Sequence, residues 1–289
     1  MLAFGQVDFW FAALIGLVVL CPAIGMRLPR VKLLTDPLPL LCGAVLVLFT
    51  ITRAVFTLPD GNLHLTIHNL NDSQVILLRA PEGQTLLIGS GSSPRLLDDT
   101  LGRWLPPYGN PLDAVLINNP SAGSLSALPT ILDRYPPEWA FWGCTPPQHY
   151  TGRKLMEDLQ DYEANIHQLA QGESLSLGEV RLEVIAVTTE GSALMVHWQN
   201  FRALIPGGVD IDQIPPEHLT GLSVLVLEQR DFEKTEKVEW ESIAPTATIV
   251  TVDGDALPMT GTNWLSIRPQ EWIAVETNGK TMSLSTKEK

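Results

Sequence analysis

Two long uncharged stretches near the amino terminus constrain this chain more than any other feature of its sequence. Phe9 to Met26 contains no charged residue, and at about 1.5 Å per helical residue it is long enough to cross the hydrocarbon core of a bilayer. Pro37 to Thr52 is also uncharged, and Arg53 after it can extend its side chain to the interface. The two stretches therefore predict a transmembrane helical hairpin within residues 1–58.

A cleaved signal peptide is the alternative for the first stretch. It is disfavoured because Asp8, instead of a lysine or an arginine, precedes the apolar core. A second apolar stretch also follows closely, which a signal peptide does not require. We therefore expect both stretches to remain in the membrane.

The short loop between the two stretches is basic. It carries Arg27, Arg30 and Lys32 against a single acid, Asp36. The positive-inside rule places such a loop in the cytoplasm, although Arg53 lies on the opposite side. We therefore expect a multi-pass protein of the cytoplasmic membrane, held in the lipid bilayer by two spans, with residues 59–289 outside the cytoplasm.

Turn signals divide residues 59–289 into short strands. Gln74–Arg79 and Gln84–Ile88 flank Pro81-Glu82-Gly83, which is typical of a β-hairpin. Leu175 to Val187 turns at Gly178, and Asn278-Gly279 predicts a further hairpin near the end of the chain.

Helices are interleaved with these strands. Ser93-Pro94 supplies a helix cap and a first-turn proline, which predicts a helix that runs to Trp104. A second helix is expected over Gly123–Asp133, after a short apolar strand at Ala114–Ile117. Strands that alternate with helices and are followed by more strands favour an α/β sandwich with mixed sheets.

The charge balance limits the classes of partner. The 289 residues contain 32 acidic and 19 basic side chains, which gives a formal net charge of −13. Nonspecific nucleic-acid binding depends on clustered lysine and arginine, so this balance disfavours direct binding of DNA or RNA. Cysteine adds little, because Cys21 and Cys42 lie in the predicted spans and Cys144 stands alone.

Six segments of the domain follow one another in an order that points to a known family. Read along the chain, they are HNLNDSQV, APEG, LIGSG, NNPSAGSLSAL, LIPGG and VLVLEQRD, at His68–Val75, Ala80–Gly83, Leu87–Gly91, Asn118–Leu128, Leu204–Gly208 and Val224–Asp231. In order and spacing, residues 62–286 resemble the C-terminal metallo-β-lactamase-fold domain of ComEC-type competence proteins, which take DNA across bacterial membranes. The resemblance implies a metallo-β-lactamase-like αβ/βα sandwich.

The resemblance also implies a metal site, and here the sequence departs from the family. Each position that matches a metal ligand holds a residue that is neither imidazole nor carboxylate: Asn119, Ser121, Gly123, Ser124, Gly208, and Gln229 or Arg230. Neutral amides and hydroxyls cannot replace anionic or imidazole ligands on a transition metal. We therefore assign no catalytic, metal-binding or cofactor-binding residue, and expect no cofactor and no metal-dependent hydrolysis.

Two alternatives remain open. His197, Asp210, Asp212 and His218 lie close together in sequence, and as relocated ligands they would make an active metal-dependent hydrolase, a phosphodiesterase or a nuclease. The stretch from Asp210 to Gln213 is equally typical of a solvated loop. The second alternative drops the family and leaves a membrane-tethered sandwich of unrelated function.

The favoured hypothesis is a membrane-anchored, catalytically degenerate metallo-β-lactamase-fold protein. The family resemblance implies a binding or accessory role in DNA uptake during competence. Two short spans cannot enclose a path for DNA, so the partner implied is a separate membrane channel.

Overall fold

The computed structural model describes residues 59–70, 73–105, 112–147, 149–234, 243–252 and 263–286, which all belong to one compact unit. Both predicted membrane spans lie outside these residues. Within the described ranges, no helix combines the length and the apolar character needed to cross a bilayer. The hairpin over residues 1–58 stays a prediction.

In the described part of the chain, one layer is a mixed sheet of eight strands, sheet A. Its strands are β1 (Leu63–Asn69), β2 (Gln74–Arg79), β3 (Thr85–Ile88), β4 (Ala114–Ile117), β5 (Trp139–Trp142), β6 (Asn165–Gln168), β14 (Trp272–Thr277) and β15 (Met282–Thr286). The spatial order is β15-β14-β1-β2-β3-β4-β5-β6. The pairs from β3 to β6 are parallel, and the others are antiparallel.

The second layer, sheet B, has seven strands among the described residues. They are β7 (Ser174–Leu177), β8 (Val180–Val187), β9 (Ser192–Trp198), β10 (Phe201–Ile205), β11 (Val224–Glu228), β12 (Ala247–Thr251) and β13 (Trp264–Ile267). They follow the order β13-β12-β11-β10-β9-β8-β7. The pairs from β10 to β13 are parallel, and the pairs from β7 to β10 are antiparallel.

Helices cover the outer faces of both sheets. In the described ranges they are α1 (Pro94–Trp104), α2 (Ala122–Leu125), α3 (Leu128–Ile131), α4 (Tyr150–Asp161), α5 (Pro216–Leu219) and α6 (Gln229–Lys234), with a 3₁₀ turn at Ile211–Gln213. The predicted start and end of α1 are confirmed. The prediction of one helix over Gly123–Asp133 was wrong: two short helices lie there, and Pro129 falls in the first turn of α3, where proline is tolerated.

Successive side chains of a strand point to opposite faces of its sheet, so the buried apolar residues form three separate clusters. Leu63, Leu65 and Ile67 of β1 pack with Leu194 and Val196 of β9 in the core between the sheets. The intervening positions of sheet A pack under α1 to α4, and those of sheet B pack under the 3₁₀ turn, α5 and α6. Each fully buried leucine or isoleucine contributes about 1.5–3 kcal/mol relative to exposure. The result is an αβ/βα sandwich, as the sequence predicted.

Candidate functional site

The carboxyl ends of the parallel strands meet at one edge of the sandwich. β4 ends at Ile117, and the carbonyl of Asn118 after it accepts a hydrogen bond from the backbone N–H of Ser192 at 2.8 Å. This bond joins sheet A to the hairpin between β8 and β9 of sheet B. Gly207, which follows β10, lies against the same loop, since a Cβ there would be 2.6 Å from the side-chain nitrogen of Asn118.

The other segments singled out in the sequence reach the same edge. A Cβ at Gly89 would lie 3.9 Å from Oδ1 of Asn118, and a Cβ at Gly208 would lie 3.6 Å from Nη2 of Arg230. The structure therefore brings together the four segments whose matched positions carry neither imidazole nor carboxylate side chains. Parallel strands with coincident carboxyl ends explain the convergence, because the loops that leave them share one edge.

Backbone atoms fill the centre of this edge. A Cβ at Gly191 would lie 2.0 Å from the carbonyl oxygen of Gly207 and 2.7 Å from that of Asn118. A Cβ at Gly143 would lie 2.8 Å from Oγ of Ser192. Gly143, Gly191 and Ser192 were not predicted from the sequence. The contacts join parts of the chain that are far apart in sequence. The glycines in these loops are therefore the only local signal from which the contacts could have been predicted.

The neutral side chains of the loop after β4 form hydrogen bonds with groups of the same loop. Ser121 caps α2, since its Oγ accepts a hydrogen bond from the backbone N–H of Ser124 at 3.2 Å. Oδ1 of Asn119 accepts one from the N–H of Ser121 at 3.0 Å, and the hydroxyl of Ser90 donates one to the carbonyl of Ser124. These residues shape a turn and a helix start, which are structural roles.

His149 fastens α4 to this loop. Its Nδ1 accepts a hydrogen bond from the backbone N–H of Gly152 at 3.1 Å, which caps the helix. Its Nε2 lies 2.9 Å from the carbonyl oxygen of Pro120. Both bonds form together only when Nε2 carries the proton, so the geometry selects one neutral tautomer. The ring therefore acts as a clamp between two elements.

A layer of polar side chains closes the apolar core at this edge. We call Asn69, Gln74, Asn118, Ser192 and Thr251 the polar end layer. The amide of Asn69 donates to the carbonyls of Val252 and Ile267, at 2.7 and 2.9 Å, and so joins β1 to two strands of sheet B. The amide of Gln74 donates to the carbonyl of Leu227 at 3.2 Å. Asn69 and Gln74 of this layer thus tie the two sheets together by hydrogen bonds.

Arg230 places the positive charge at this edge. Its Nε lies 2.7 Å from a carboxylate oxygen of Glu228 and 3.9 Å from one of Asp231, which is buried. Carboxylates are therefore present at the end of β11, and the Arg230 guanidinium lies beside both, although its single positive charge offsets only one of the two negative charges. The family resemblance matches either Gln229 or Arg230 to a metal ligand, and neither a neutral amide nor a permanently protonated guanidinium can take that role.

Comparisons with solved structures identify the class of fold. The domain is similar to YhfI, a metallo-β-lactamase fold protein from Bacillus subtilis, with a TM-score of 0.53 and 9% identity over 72% of this chain and 97% of that one. Weaker likenesses are to Zn²⁺-bound PqqB from Methylobacterium extorquens (TM-score 0.48, 16% identity, 69% and 85% of the two chains) and to human tRNase Z, short form (TM-score 0.45, 10% identity, 70% and 93%). The chain has a metallo-β-lactamase fold.

The sequence comparisons add nothing to this assignment. No protein-family model matches the chain, and a search of curated proteins found no match either. At 9% identity the likeness to YhfI carries the fold alone.

The fold implies a metal centre, and the residues at the described edge do not fit one. The matched positions bear amide, hydroxyl, glycine and guanidinium groups. A transition metal needs several imidazole, thiolate or carboxylate ligands that converge on one point. The donor set therefore disagrees with the metal that the fold implies.

The relocated ligand set is not assembled either. His197 lies on β9 with its Nε2 4.0 Å from Glu183, and burial lowers its pKa. Asp210 accepts a hydrogen bond from the side chain of Gln213 in the 3₁₀ turn, as a solvated loop would. Among the described residues, one group of three His, Cys, Asp or Glu side chains brings its ligand atoms within 4.8 Å, and it does not include these residues.

That group consists of Asp60, His64 and Glu276, which the sequence did not single out. Nε2 of His64 is 2.8 Å from Oδ2 of Asp60, and the amide of Asn62 donates to Glu276 at 2.8 Å. Asp60 and Glu276 are exposed and His64 is half-buried, so the three form a hydrogen-bonded surface cluster at the start of β1.

Cys144 is no nucleophile. Its side chain is buried against the carbonyl of Ile117, and burial raises the pKa of its thiol to about 12. The thiolate is the reactive form of cysteine, so a thiol with this pKa is inert near neutral pH.

Proposed function

We propose that this protein is a membrane-anchored, catalytically degenerate metallo-β-lactamase-fold protein that acts by binding or assembly. The observation that carries the proposal is the convergence, at one edge, of Asn118, Gly191, Gly207 and Arg230, none of which offers an imidazole or a carboxylate ligand. Catalysis by a metal needs an open coordination position for water or substrate. The close contacts between loops and the ion pairs of Arg230 support a structural role for this part of the molecule.

The anchor and the cellular role rest on the sequence. Two uncharged stretches within residues 1–58 and the basic loop between them support a hairpin in the cytoplasmic membrane, with the domain outside. The order of the six motif segments supports descent from the ComEC-type domain, and hence an accessory role in DNA uptake beside a separate channel. The net charge of −13 favours a protein partner over direct contact with DNA.

Metal content and hydrolysis together test the loss of catalysis. The full-length chain, purified in detergent, should contain well under one zinc, manganese or iron per molecule. It should not hydrolyse bis(p-nitrophenyl) phosphate above the buffer rate when Zn²⁺ or Mn²⁺ is added. Metal-dependent hydrolysis that follows the protein through purification would overturn the proposal in favour of an active phosphodiesterase or nuclease.

The role in DNA uptake has its own test. Deletion of the gene in its host should lower the frequency of transformation, and an Arg230→Ala variant should restore it, because this side chain has no catalytic role. Unchanged transformation after deletion would contradict the accessory role and leave the fold assignment intact.

A further inference from the structure

A second polar region lies on the outer face of sheet A, beneath α1. It is a pocket of about 130 Å³, separate from the polar end layer, which we call the His68 pocket. The residues that give the pocket its chemistry are His68, Asp99, Arg103, Trp104, Glu271 and Trp272. Pockets for drug-sized ligands measure about 300–1,000 Å³, so only a small molecule fits here.

His68 gives the pocket a buried, neutral imidazole. The side chain is 3% exposed, and its Nε2 has no hydrogen-bond partner among the described residues. Burial, together with the nearby Arg103 guanidinium, lowers the pKa of His68 to about 3. The polar end layer does not use this ring, because β1 turns His68 toward α1 and Asn69 toward sheet B.

Two opposite charges stand on the rim without pairing. Asp99 and Arg103 are one helical turn apart on α1, a spacing at which acid and base usually attract one another. Neither makes an ion pair within the described part of the chain, whereas the adjacent Asp98 pairs with Arg134 at 2.9 Å. Both charges are therefore available to a ligand that carries the complementary pair.

The wall of the pocket is aromatic. The rings of Trp104 and Trp272 meet edge to face at 4.9 Å, and His68 meets Trp104 in the same manner at 5.7 Å. Edge-to-face contacts hold such rings in fixed orientations and present an apolar surface. The wall therefore suits an apolar group on the ligand.

We infer that the His68 pocket binds a free amino acid with an apolar side chain. The carboxylate of the ligand pairs with Arg103, its ammonium group pairs with Asp99, and its side chain packs against Trp104 and Trp272. Arginine is suited to carboxylates because its planar guanidinium offers paired donors. The small volume excludes a nucleotide or a peptide.

Three related probes test the inference by calorimetry on the full-length chain in detergent. L-phenylalanine has both charges, 3-phenylpropionate lacks the ammonium group, and phenethylamine lacks the carboxylate. L-phenylalanine should bind with a Kd of about 1 mM or lower, and each analogue should bind at least about tenfold more weakly. Equal binding of all three probes, or no saturable binding of L-phenylalanine at about 10 mM, would overturn the inference.

Matched arginine variants locate the binding. Arg103→Met should weaken L-phenylalanine binding at least about tenfold. Arg95→Met is the control, because Arg95 is exposed on the same helix but does not line the pocket, and it should leave the affinity unchanged. Equal losses of affinity in both variants would mean that binding depends on overall charge, and would contradict binding in the His68 pocket. Neither outcome depends on whether the protein is a hydrolase.

Discussion

Two neighbouring residues of β1 lie in two different polar regions: one is hydrogen-bonded between the sheets, and the other lines a pocket on the outer face. Asn69 belongs to the polar end layer, where its amide donates to two carbonyls of sheet B. His68 faces outward and lines a pocket, with one ring nitrogen unpartnered among the described residues. Both residues belong to the motif segment His68–Val75, so one motif contributes to the hydrogen-bonded edge and also to the cavity on the outer face.

Glycine residues allow the loops at the edge of the sandwich to approach one another closely. Gly191 is placed where no Cβ fits, and Gly207 has a φ of 58° and would meet the carbonyl of Ser192 at 2.4 Å. The close approach of three loops thus depends on residues without side chains. The His68 pocket, in contrast, is lined by the large side chains of His68, Trp104 and Trp272, whose rings contact one another edge to face.

The largest effect on stability is expected when a side chain is added between the loops that meet at the edge. Gly191→Ala should lower the free energy of unfolding by about 3 kcal/mol or more, because its Cβ would overlap two backbone carbonyls. Gly123→Ala is the control, since a Cβ there meets nothing within 4 Å, and its effect should stay within about 1 kcal/mol. Denaturant unfolding measures both. A stable Gly191→Ala variant would mean that the loops do not meet as described.

The pH dependence of stability should follow His68. Its pKa is about 3 in the folded protein and about 6.5 when exposed, so between these values the unfolded chain binds more protons. This group should therefore lower the free energy of unfolding by up to about 1.4 kcal/mol per pH unit as the pH falls below 6.5. A His68→Phe variant should lose this component of the slope. Identical slopes between pH 6.5 and 4 in both proteins would contradict a buried neutral ring.

Removal of the bridge on the inner side of β1 should have an intermediate effect. Asn69→Ala leaves the carbonyls of Val252 and Ile267 without this donor and should cost about 2 kcal/mol. Asn62→Ala removes an exposed amide that bonds to Glu276 and should cost less than about 0.5 kcal/mol. Thermal unfolding of the two variants compares them. Equal costs would show that the polar end layer does not hold the sheets together.

The smallest effect is expected at Ser192. Its Oγ is fully buried and has no hydrogen-bond partner within the described ranges. Ser192→Ala should leave stability unchanged or raise it by up to about 1 kcal/mol, because a desolvated hydroxyl is removed. Ser121→Ala removes the cap of α2 and should lower stability by about 1 kcal/mol. A marked loss of stability in Ser192→Ala would show that the hydroxyl is hydrogen-bonded and contradict this expectation.

Local features of the fold could be predicted where short-range chemistry decides them. The hairpin of β2 and β3 around Pro81-Glu82-Gly83 is confirmed, as is the one at Asn278-Gly279, where Gly279 has a φ of 81°. The break between α2 and α3 was not predicted. Proline is tolerated in the first turn of a helix, so Pro129 can mark a helix start as well as a helix break.

The candidate site could be predicted only in part. Its neutral residues were visible in the motif order, and the structure brings Asn118, Gly208 and Arg230 to one edge. Gly143, Gly191 and Ser192 were missed because nothing local marks them. The two spans within residues 1–58 stay a prediction, as does the role in DNA uptake.

The sequence by itself determined which side chains stand at the matched motif positions, and none of them is an imidazole or a carboxylate. It also determined the strands and turns, which depend on side-chain period and on backbone freedom at glycine and proline. Only the tertiary structure decided which loops meet, and that His68 shares a pocket with Asp99 and Arg103. Contacts between residues far apart in the chain depend on how whole sheets pack, and no short window of sequence contains that information.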